Sequence, residues 1–224
     1  MKHLIFDAGP IISLSMCGMI NVLERLSENF DGEFIITPQV KREVVDRPMK
    51  IKKFELEAFG VKNLIDKGVL KLSSEFISDG KLSSETKRIL KISNSAIRSK
   101  SSGEKIKMIH EGEASCIAFS NLCKCDNMIV VDERTTRLMS EAPENLKEYM
   151  QGKLHTPLEI DMSLLKEFRK DRFIRSSELL FIAYKKDLLP MKKEKQLLDA
   201  LLYGVKFKGT AITVDEIEEM KRMV

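Results

Sequence analysis

The stretch His3-Leu4-Ile5-Phe6-Asp7-Ala8-Gly9-Pro10 decides the fold, because it joins a short apolar run to the start of a helix through one acid. Residues 3–6 do not alternate between polar and apolar, which is typical of a strand that is buried on both faces. Pro10 suits the start of a helix, where its missing N–H would have no partner. The stretch therefore predicts a buried strand, with Asp7 at its carboxyl end and a helix directly after it.

Short apolar runs return at residues 34–36, 69–72 and 128–131, and helical patterns lie between them. Strands that alternate with helices favour a parallel sheet that is covered on both faces. The predicted later helices cover residues 51–65, 81–92, 111–123, 133–141, 164–168, 176–184 and 194–202. A last helix is predicted after the capping box Thr213-Val214-Asp215-Glu216.

The composition fits a folded globular chain, with 43% hydrophobic and 32% charged residues among 224. Its 38 basic and 34 acidic side chains give a net charge of +4, which permits nucleic-acid binding but does not argue for it. The chain has no apolar run long enough to cross a bilayer and no secretory cleavage site, so we expect a cytoplasmic protein without a membrane partner. Four cysteines are too few for a disulfide scaffold, so we expect reduced thiols. Cys123 and Cys125 lack a second Cys/His pair at zinc-site spacing, so we expect no structural zinc.

Four acids are predicted to meet at one edge of the sheet. Asp7 and Asp132 each follow a strand, so both lie at a carboxyl end. Glu43 lies in the opening turns of the helix after the second strand, and Glu113 lies in the first turn of the helix before the fourth. In a right-handed crossover the helix starts at the carboxyl edge of the sheet, which is also the edge where such sheets bind ligands.

Four ionised carboxylates in one cleft repel one another, so at least one is expected to keep a proton through a raised pKa. A divalent cation removes this conflict, and an all-oxygen site suits Mg²⁺ or Mn²⁺ rather than zinc. One or two such ions lower the pKa of a bound water and hold a phosphodiester for in-line attack. This chemistry needs no histidine, and the sequence indicates none that is suitably placed.

Other interpretations of the acids stay open. An Asp after a strand is a frequent helix cap, and a Glu in a first helical turn interacts favourably with the helix dipole. Asp46 competes with Glu43 for the second position, and Glu133 is a candidate auxiliary metal ligand. Glu111 lies on a different side of its helix from the selected glutamate, and Asp126 precedes its strand and so lies at the wrong edge.

The acids stand in segments that resemble the motifs of PIN-domain nucleases. The closest likeness is to a prokaryotic subgroup that opens with Asp, a small residue, Gly or Ser and then Pro, and that has Gly-Glu-Ala as its third motif. The four matching segments, in the family order, are Phe6–Leu14, Ile36–Val44, Gly112–Ala118 and Ile129–Arg137. Residues 181–190 and 197–200 also resemble the family's C-terminal helices, and only about residues 47–108 lie outside the likeness.

The resemblance implies a three-layer α/β/α fold with a central, mostly parallel sheet, extra C-terminal helices and metal-dependent cleavage of RNA. The family's acids fall on the same four residues that the edge argument selects. Two departures concern the site: Ala8 stands where many relatives place a hydroxyl beside the first acid, and Glu133 follows Asp132 where a second Asp is frequent. Some members of the family bind without cleaving.

The resemblance also suggests how the chain is divided. Residues 1–157 would form a PIN-like catalytic core with an added basic segment at about 47–108, and residues 158–224 a helical extension packed on it within the same domain. The long insert distinguishes the chain from small toxin nucleases. We expect a serine-rich mobile loop at 93–103, a short fifth strand at 154–156, and only helices in the extension.

Residues 81–107 carry eight basic and two acidic side chains, a net charge of +6, and lead into the helix of the third motif. Such a segment could hold a nucleic-acid backbone, although a solvated helix face is the alternative. Arg134 and Arg137 are candidates for phosphate contacts or for salt bridges to Glu133 or Glu141. The predicted nucleic-acid contacts are Arg98, Lys100, Lys105, Lys107, Arg134 and Arg137.

The sequence therefore predicts a Mg²⁺- or Mn²⁺-dependent ribonuclease, an endonuclease with RNA as its substrate. The acids that would bind metal and catalyse hydrolysis are Asp7, Glu43, Glu113 and Asp132, with Glu133 as the auxiliary. The alternative is a catalytically weak PIN-like module that binds RNA or protein, and a nuclease directed at DNA is a third interpretation. A homodimer and a protein partner or antitoxin also remain open.

Overall fold

The computed structural model describes residues 2–224, apart from the side chains of Arg169 and Lys195. The strands are β1 (Lys2–Phe6), β2 (Glu33–Ile36), β3 (Leu70–Leu72), β4 (Ile97–Ser99), β5 (Asp126–Val130), β6 (Leu158–Ile160) and β7 (Phe173–Ile174). The α-helices are α1 (Ala8–Met16), α2 (Val22–Glu28), α3 (Pro38–Lys41), α4 (Glu55–Asp66), α5 (Asp79–Ser93), α6 (Glu111–Leu122), α7 (Arg134–Glu141), α8 (Pro143–Leu154), α9 (Met162–Leu165), α10 (Ser176–Lys185), α11 (Lys195–Phe207) and α12 (Val214–Arg222). Single turns of π- or 3₁₀-helix occur at Arg42–Asp46, Pro48–Lys50, Ser73–Glu75 and Lys166–Lys170.

Five strands form one parallel sheet in the order β3-β2-β1-β5-β7. The chain moves outward from β1 to β2 and β3, then returns past β1 to β5 and continues to β7. The direction reverses between β1 and β5, and open α/β sheets bind ligands at such a switch point. Phe6 on β1 pairs with Val130 on β5, so the residues after these two strands emerge side by side.

Helices cover both faces of the sheet. On one face α1 packs against α4 and α10, and α2 also contacts α10, while α5 packs on α6 on the other face. The central strands are buried towards their carboxyl ends, where Ile5, Phe6, Ile35, Ile36 and Val130 are all 0% exposed. Burial on both faces explains why these strands lack alternation in the sequence. The chain thus has the predicted three-layer α/β/α fold around a parallel sheet.

Three details of the sequence prediction are wrong, and all involve strands of two or three residues. The stretch 93–103 is not a loop throughout, because β4 lies within it and pairs antiparallel with β6. The strand expected at 154–156 lies instead at 158–160, because α8 continues to Leu154 and ends at His155, whose φ is 51°. The chain beyond residue 157 is not only helical, since β6 lies there and β7 joins the central sheet beside β5.

Two predicted helix starts are confirmed by their caps. The Thr37 hydroxyl accepts a hydrogen bond from the backbone N–H of Val40 at 3.2 Å. Thr213 and Glu216 bond each other's backbone N–H at 3.1 and 2.7 Å, which completes the capping box of α12. The helix expected from residue 51 begins at 55. Within the described residues, no helix has both the length and the apolar character needed to cross a membrane.

Candidate functional site

Asp7 lies at the switch point, directly after β1. Its backbone N–H donates to the carbonyl of Val130 at 3.0 Å, which holds it against the end of β5. Its carboxylate caps α1, with Oδ2 accepting from the backbone N–H of Gly9 at 3.3 Å. Backbone amides therefore bond the acid at the place where Ala8 supplies no hydroxyl.

Glu43 and Glu113 reach the same edge from two separate helices. α3 continues into the π-helical turn Arg42–Asp46, which carries Glu43. Glu113 lies in the first turn of α6. A hydrogen bond of 2.6 Å joins the hydroxyls of Thr37, the cap of α3, and Ser115 on α6. This bond ties together the two helix starts that position the acids.

Gly112 marks the point where the acids converge. A methyl group on its α-carbon would lie 3.2 Å from Asp7 Oδ1 and 3.3 Å from Glu43 Oε1. A hydrogen atom at this position lets both carboxylates approach the start of α6 closely. Glu113 adjoins the glycine, and all three acids line a cleft of about 440 Å³. Three of the four predicted acids therefore share one cleft.

The cleft places its acids in surroundings that disfavour ionisation. Burial, followed by the nearby charge of Glu113, raises the pKa of Asp7 to about 8. Burial also raises the pKa of Glu113, against the hydrogen bonds that it accepts from the Thr136 hydroxyl and the His110 N–H. Both shifts are in the direction expected of buried, neighbouring carboxylates.

Asp132 lies beside this cleft, and the wall formed by the described residues does not include it. The residue is 4% exposed, and its carboxylate is bound by the C-terminal part of the chain. The Ser176 N–H donates to Oδ1 at 2.9 Å, and the Ser176 hydroxyl reaches both oxygens at 3.0 and 2.8 Å. The Thr210 hydroxyl donates to Oδ2 at 2.8 Å. The role of Asp132 as a metal ligand stays a prediction.

Glu133 lines the cleft next to a lysine that sequence reasoning missed. Its Oε1 accepts from the Thr135 hydroxyl at 2.8 Å and from Lys153 Nζ at 3.1 Å. Partial burial opposes its ionisation, but these hydrogen bonds together with the charge of Lys153 and the Thr135 N–H lower the pKa of Glu133. His110 also lines the cleft, so the expectation that no histidine is suitably placed was wrong.

The competing acids lie away from the cleft. Asp46 pairs with Lys41 at 3.3 Å, and Glu111 lies 3.8 Å from an arginine. Asp126 begins β5 at the opposite edge of the sheet and pairs with Arg172. These placements favour the acids that were predicted to lie at the carboxyl edge of the sheet over their rivals.

The predicted nucleic-acid contacts of the basic segment separate into two groups. Lys107 lines the cleft beside the acids. Arg98, Lys100 and Lys105 are exposed on the β4–β6 ribbon or next to it, and among the described residues they are not part of the cleft wall. Of these four basic residues, only Lys107 is therefore placed to meet a ligand that touches the acids.

The two arginines of the fourth motif have different surroundings. Arg134 is exposed, and its guanidinium lies 5.3 Å from the ring centroid of Tyr149. Arg137 pairs with Glu141 at 3.0 Å, which is one of the salt bridges that the sequence left open. Arg134 and Lys153 line an open recess that adjoins the acidic cleft.

Several side chains at the site could not be found from the sequence. His110 and Thr136 stand in or beside the motif segments, and this nearness was the only signal for them. Lys153, Ser176 and Thr210 come from segments that carry no motif, and packing brings them to the acids. The missed residues are His110, Thr136, Lys153, Ser176 and Thr210.

The fold and the cleft define an α/β protein with a carboxylate-rich site at the switch point of a parallel sheet. Comparison with known proteins found no matching family model, curated protein or solved structure. The donor set of the cleft consists of carboxylate oxygens, which suit Mg²⁺ or Mn²⁺. Burial and the neighbouring Glu113 disfavour the ionised form of Asp7, and a divalent cation would stabilise that form. The residues present therefore fit such an ion.

Proposed function

We propose that this protein is a Mg²⁺- or Mn²⁺-dependent ribonuclease that cuts RNA internally. The observation that carries the proposal is the convergence of Asp7, Glu43 and Glu113 around Gly112 at the switch point of the sheet. These acids come from three separate elements and line one cleft. The resemblance of the acid-bearing segments to those of PIN-domain nucleases favours RNA as the substrate.

The chain offers distinct places for metal ligands. Asp7, Glu43 and Glu113 would hold the cation, and Glu133 on the same cleft wall would be the auxiliary ligand. Asp132, oriented by its own hydrogen bonds beside the cleft, would be the fourth ligand. A divalent cation supplies a lowered pKa for water and charge compensation at a phosphodiester.

The surroundings of the cleft favour a bound phosphate. α1 and α6 both begin at the cleft, so their N-terminal ends direct partial positive charge towards it. Lys107 and Lys153 line the cleft and neutralise phosphates of an RNA strand. Arg134 extends this positive rim over the adjoining recess.

Cleavage of a mixed-sequence, single-stranded RNA in Mn²⁺, Mg²⁺ or EDTA tests the proposal. We expect cutting with either metal and none in EDTA. Asp7→Asn and Glu113→Gln should each lower the rate on the order of 100-fold or more, because each removes a charge that holds the ion. Asp132→Asn, measured beside them, tests the fourth predicted acid.

Asp126→Asn is the matched control, since this acid lies on β5 at the opposite edge of the sheet and should leave cleavage unchanged. Cutting that survives Asp7→Asn, or that persists in EDTA, would contradict the proposal. A folded wild-type protein that binds this RNA and a structured RNA but cuts neither would favour the binding-module alternative. A DNA of the same sequence tests substrate choice, and sedimentation with and without RNA tests a second copy of the chain as partner.

A further inference from the structure

A second group of metal-binding side chains lies at the edge of the sheet opposite the acidic cleft. His3 stands near the start of β1, whereas Asp7 follows its end about 13 Å away along the strand. Cys123 ends α6, and Cys125 follows two residues later, just before β5. The sequence spacing hid this group, because His3 precedes the two cysteines by about 120 residues.

The three ligand atoms are close enough to share one ion. The sulfur atoms of Cys123 and Cys125 lie 3.2 Å apart, and His3 Nδ1 lies 3.6 Å from the Cys123 sulfur. All three atoms lie within 4.8 Å of one another. Zinc–ligand lengths place two sulfurs about 3.8 Å apart, and a sulfur and an imidazole nitrogen about 3.5 Å apart, on one tetrahedral ion. The backbone therefore needs little adjustment to close the site.

The turn between the cysteines aims both thiols to the same side. The backbone N–H of Cys125 donates to the carbonyl of Cys123 at 2.8 Å, so the chain folds back within two residues. Asn127 fixes this turn, because its amide nitrogen donates to the carbonyls of Ser120 and Cys123 at 3.1 and 2.9 Å. The two thiols are held together by the backbone.

The same asparagine presents an oxygen to the histidine. With its amide nitrogen engaged, Asn127 turns Oδ1 to His3 Nδ1 at 3.1 Å. His3 is 1% exposed, and its Nε2 lacks a hydrogen-bond partner among the described residues while the ring packs against Phe76 and Phe119. A cation between Nδ1 and the asparagine oxygen would replace the hydrogen bond that joins them, and the imidazole proton would then lie on Nε2.

We propose that His3, Cys123 and Cys125 form a zinc site, with its fourth position taken by Asn127 Oδ1 or by water. Two thiolates and an imidazole suit Zn²⁺ and do not suit Mg²⁺ or Mn²⁺. The ion would tie the start of β1 to the end of α6, the two elements whose other ends position Asp7 and Glu113.

Titration of the full chain with Co²⁺ tests the site without reference to RNA cleavage. A phosphine keeps the cysteine thiols reduced during the titration. Cobalt bound to thiolates gives a charge-transfer band in the near ultraviolet, which a carboxylate site does not give. We expect one equivalent to produce this band in the wild type and in Asp7→Asn, and Zn²⁺ to displace it. Cys125→Ser and His3→Gln should each weaken binding at least tenfold.

Cys17→Ser is the matched control, since this thiol lies elsewhere and should leave the band unchanged. Protection of the wild-type thiols from alkylation by Zn²⁺ supplies a readout that needs no variant and so no assumption about folding. A wild type without the thiolate band and without Zn²⁺ protection would overturn the proposal. So would a band that survives in folded Cys125→Ser.

Discussion

At the scale of single residues, Gly112 sets how closely the acids can approach one another. Its missing side chain leaves room for Asp7 Oδ1 and Glu43 Oε1 at the start of α6. Glu113, the next residue, turns its carboxylate to the same cleft and is held by Thr136 and the His110 N–H. The glycine serves spacing here, since its φ is not in the left-handed region.

Gly112→Ala should therefore separate activity from stability. The new methyl group would push Asp7 and Glu43 away by a few tenths of an ångström and lower metal-dependent cleavage about tenfold, since a 1 Å misplacement can cost on the order of 100-fold. The same change adds helix propensity of about 1 kcal/mol, so the melting temperature should not fall by much. Cleavage rates and thermal melts of the purified variant measure both effects.

Gly80→Ala is the matched control, because Gly80 lies in the first turn of α5 and a methyl group there meets nothing within 4 Å. It should gain stability without any loss of cleavage. Equal cleavage by Gly112→Ala and Gly80→Ala would show that the acids do not need this space.

At the scale of elements, the C-terminal segment reaches back to the fourth acid. Ser176 begins α10 and Thr210 lies between α11 and α12, and both bond the carboxylate of Asp132. Their hydroxyls also bond each other at 2.7 Å. The orientation of one carboxylate thus depends on how the last three helices pack.

Ser176→Ala should lower cleavage about 10- to 100-fold, the usual cost of losing a residue that orients a metal-site carboxylate. Loss of the Ser176 hydroxyl leaves the hydrogen bond from the residue 176 N–H to Asp132 in place, so the fold should persist. Ser177→Ala is the neighbouring control, because the Ser177 hydroxyl is buried and has no hydrogen-bond partner among the described residues. Equal rates for the two variants would remove Asp132 from the working site.

The strands differ in how well the sequence predicts them. β1, β2 and β5 could be predicted because the parts of them that are buried on both faces are continuous apolar runs. β4, β6 and β7 have only two or three residues, too few for any period to appear. Asp7, Glu43 and Glu113 stand next to strong patterns, whereas Ser176 and Thr210 depend on tertiary packing that no local signal encodes.

At the scale of the whole molecule, buried acids make stability depend on pH. Burial raises the pKa of Asp171, which is 8% exposed, to about 7 from its ordinary value of 3.8. Among the described residues, its Oδ2 has no hydrogen-bond partner. The folded state therefore holds this proton between about pH 4 and pH 7 while the unfolded state has lost it. Its contribution to stability is full below pH 4 and is lost as the pH rises through 7.

Asp171→Asn should flatten this dependence, because an amide carries no charge to bury. We expect the fall in unfolding free energy between pH 5 and pH 8 to shrink by about 1–3 kcal/mol, because the folded state alone holds this proton from pH 5 to about pH 7 and each pH unit is worth up to about 1.4 kcal/mol. Denaturant melts at the two pH values, in EDTA, measure it. Asp31→Asn, at an exposed acid, is the control, and parallel curves for Asp171→Asn and the wild type would contradict the assignment.

The hydrogen bond between Asp132 and Thr210 also has a consequence for the order in which the site is completed during synthesis. Thr210 is made 78 residues after Asp132, which takes about 4–16 s at a ribosomal speed of ~5–20 residues per second. During that interval the strands that carry Asp7 and Asp132 already exist, but the hydroxyl that orients the fourth acid does not. For the proposed ribonuclease, a nascent chain would thus spend these seconds beside a messenger RNA before Thr210 can orient Asp132.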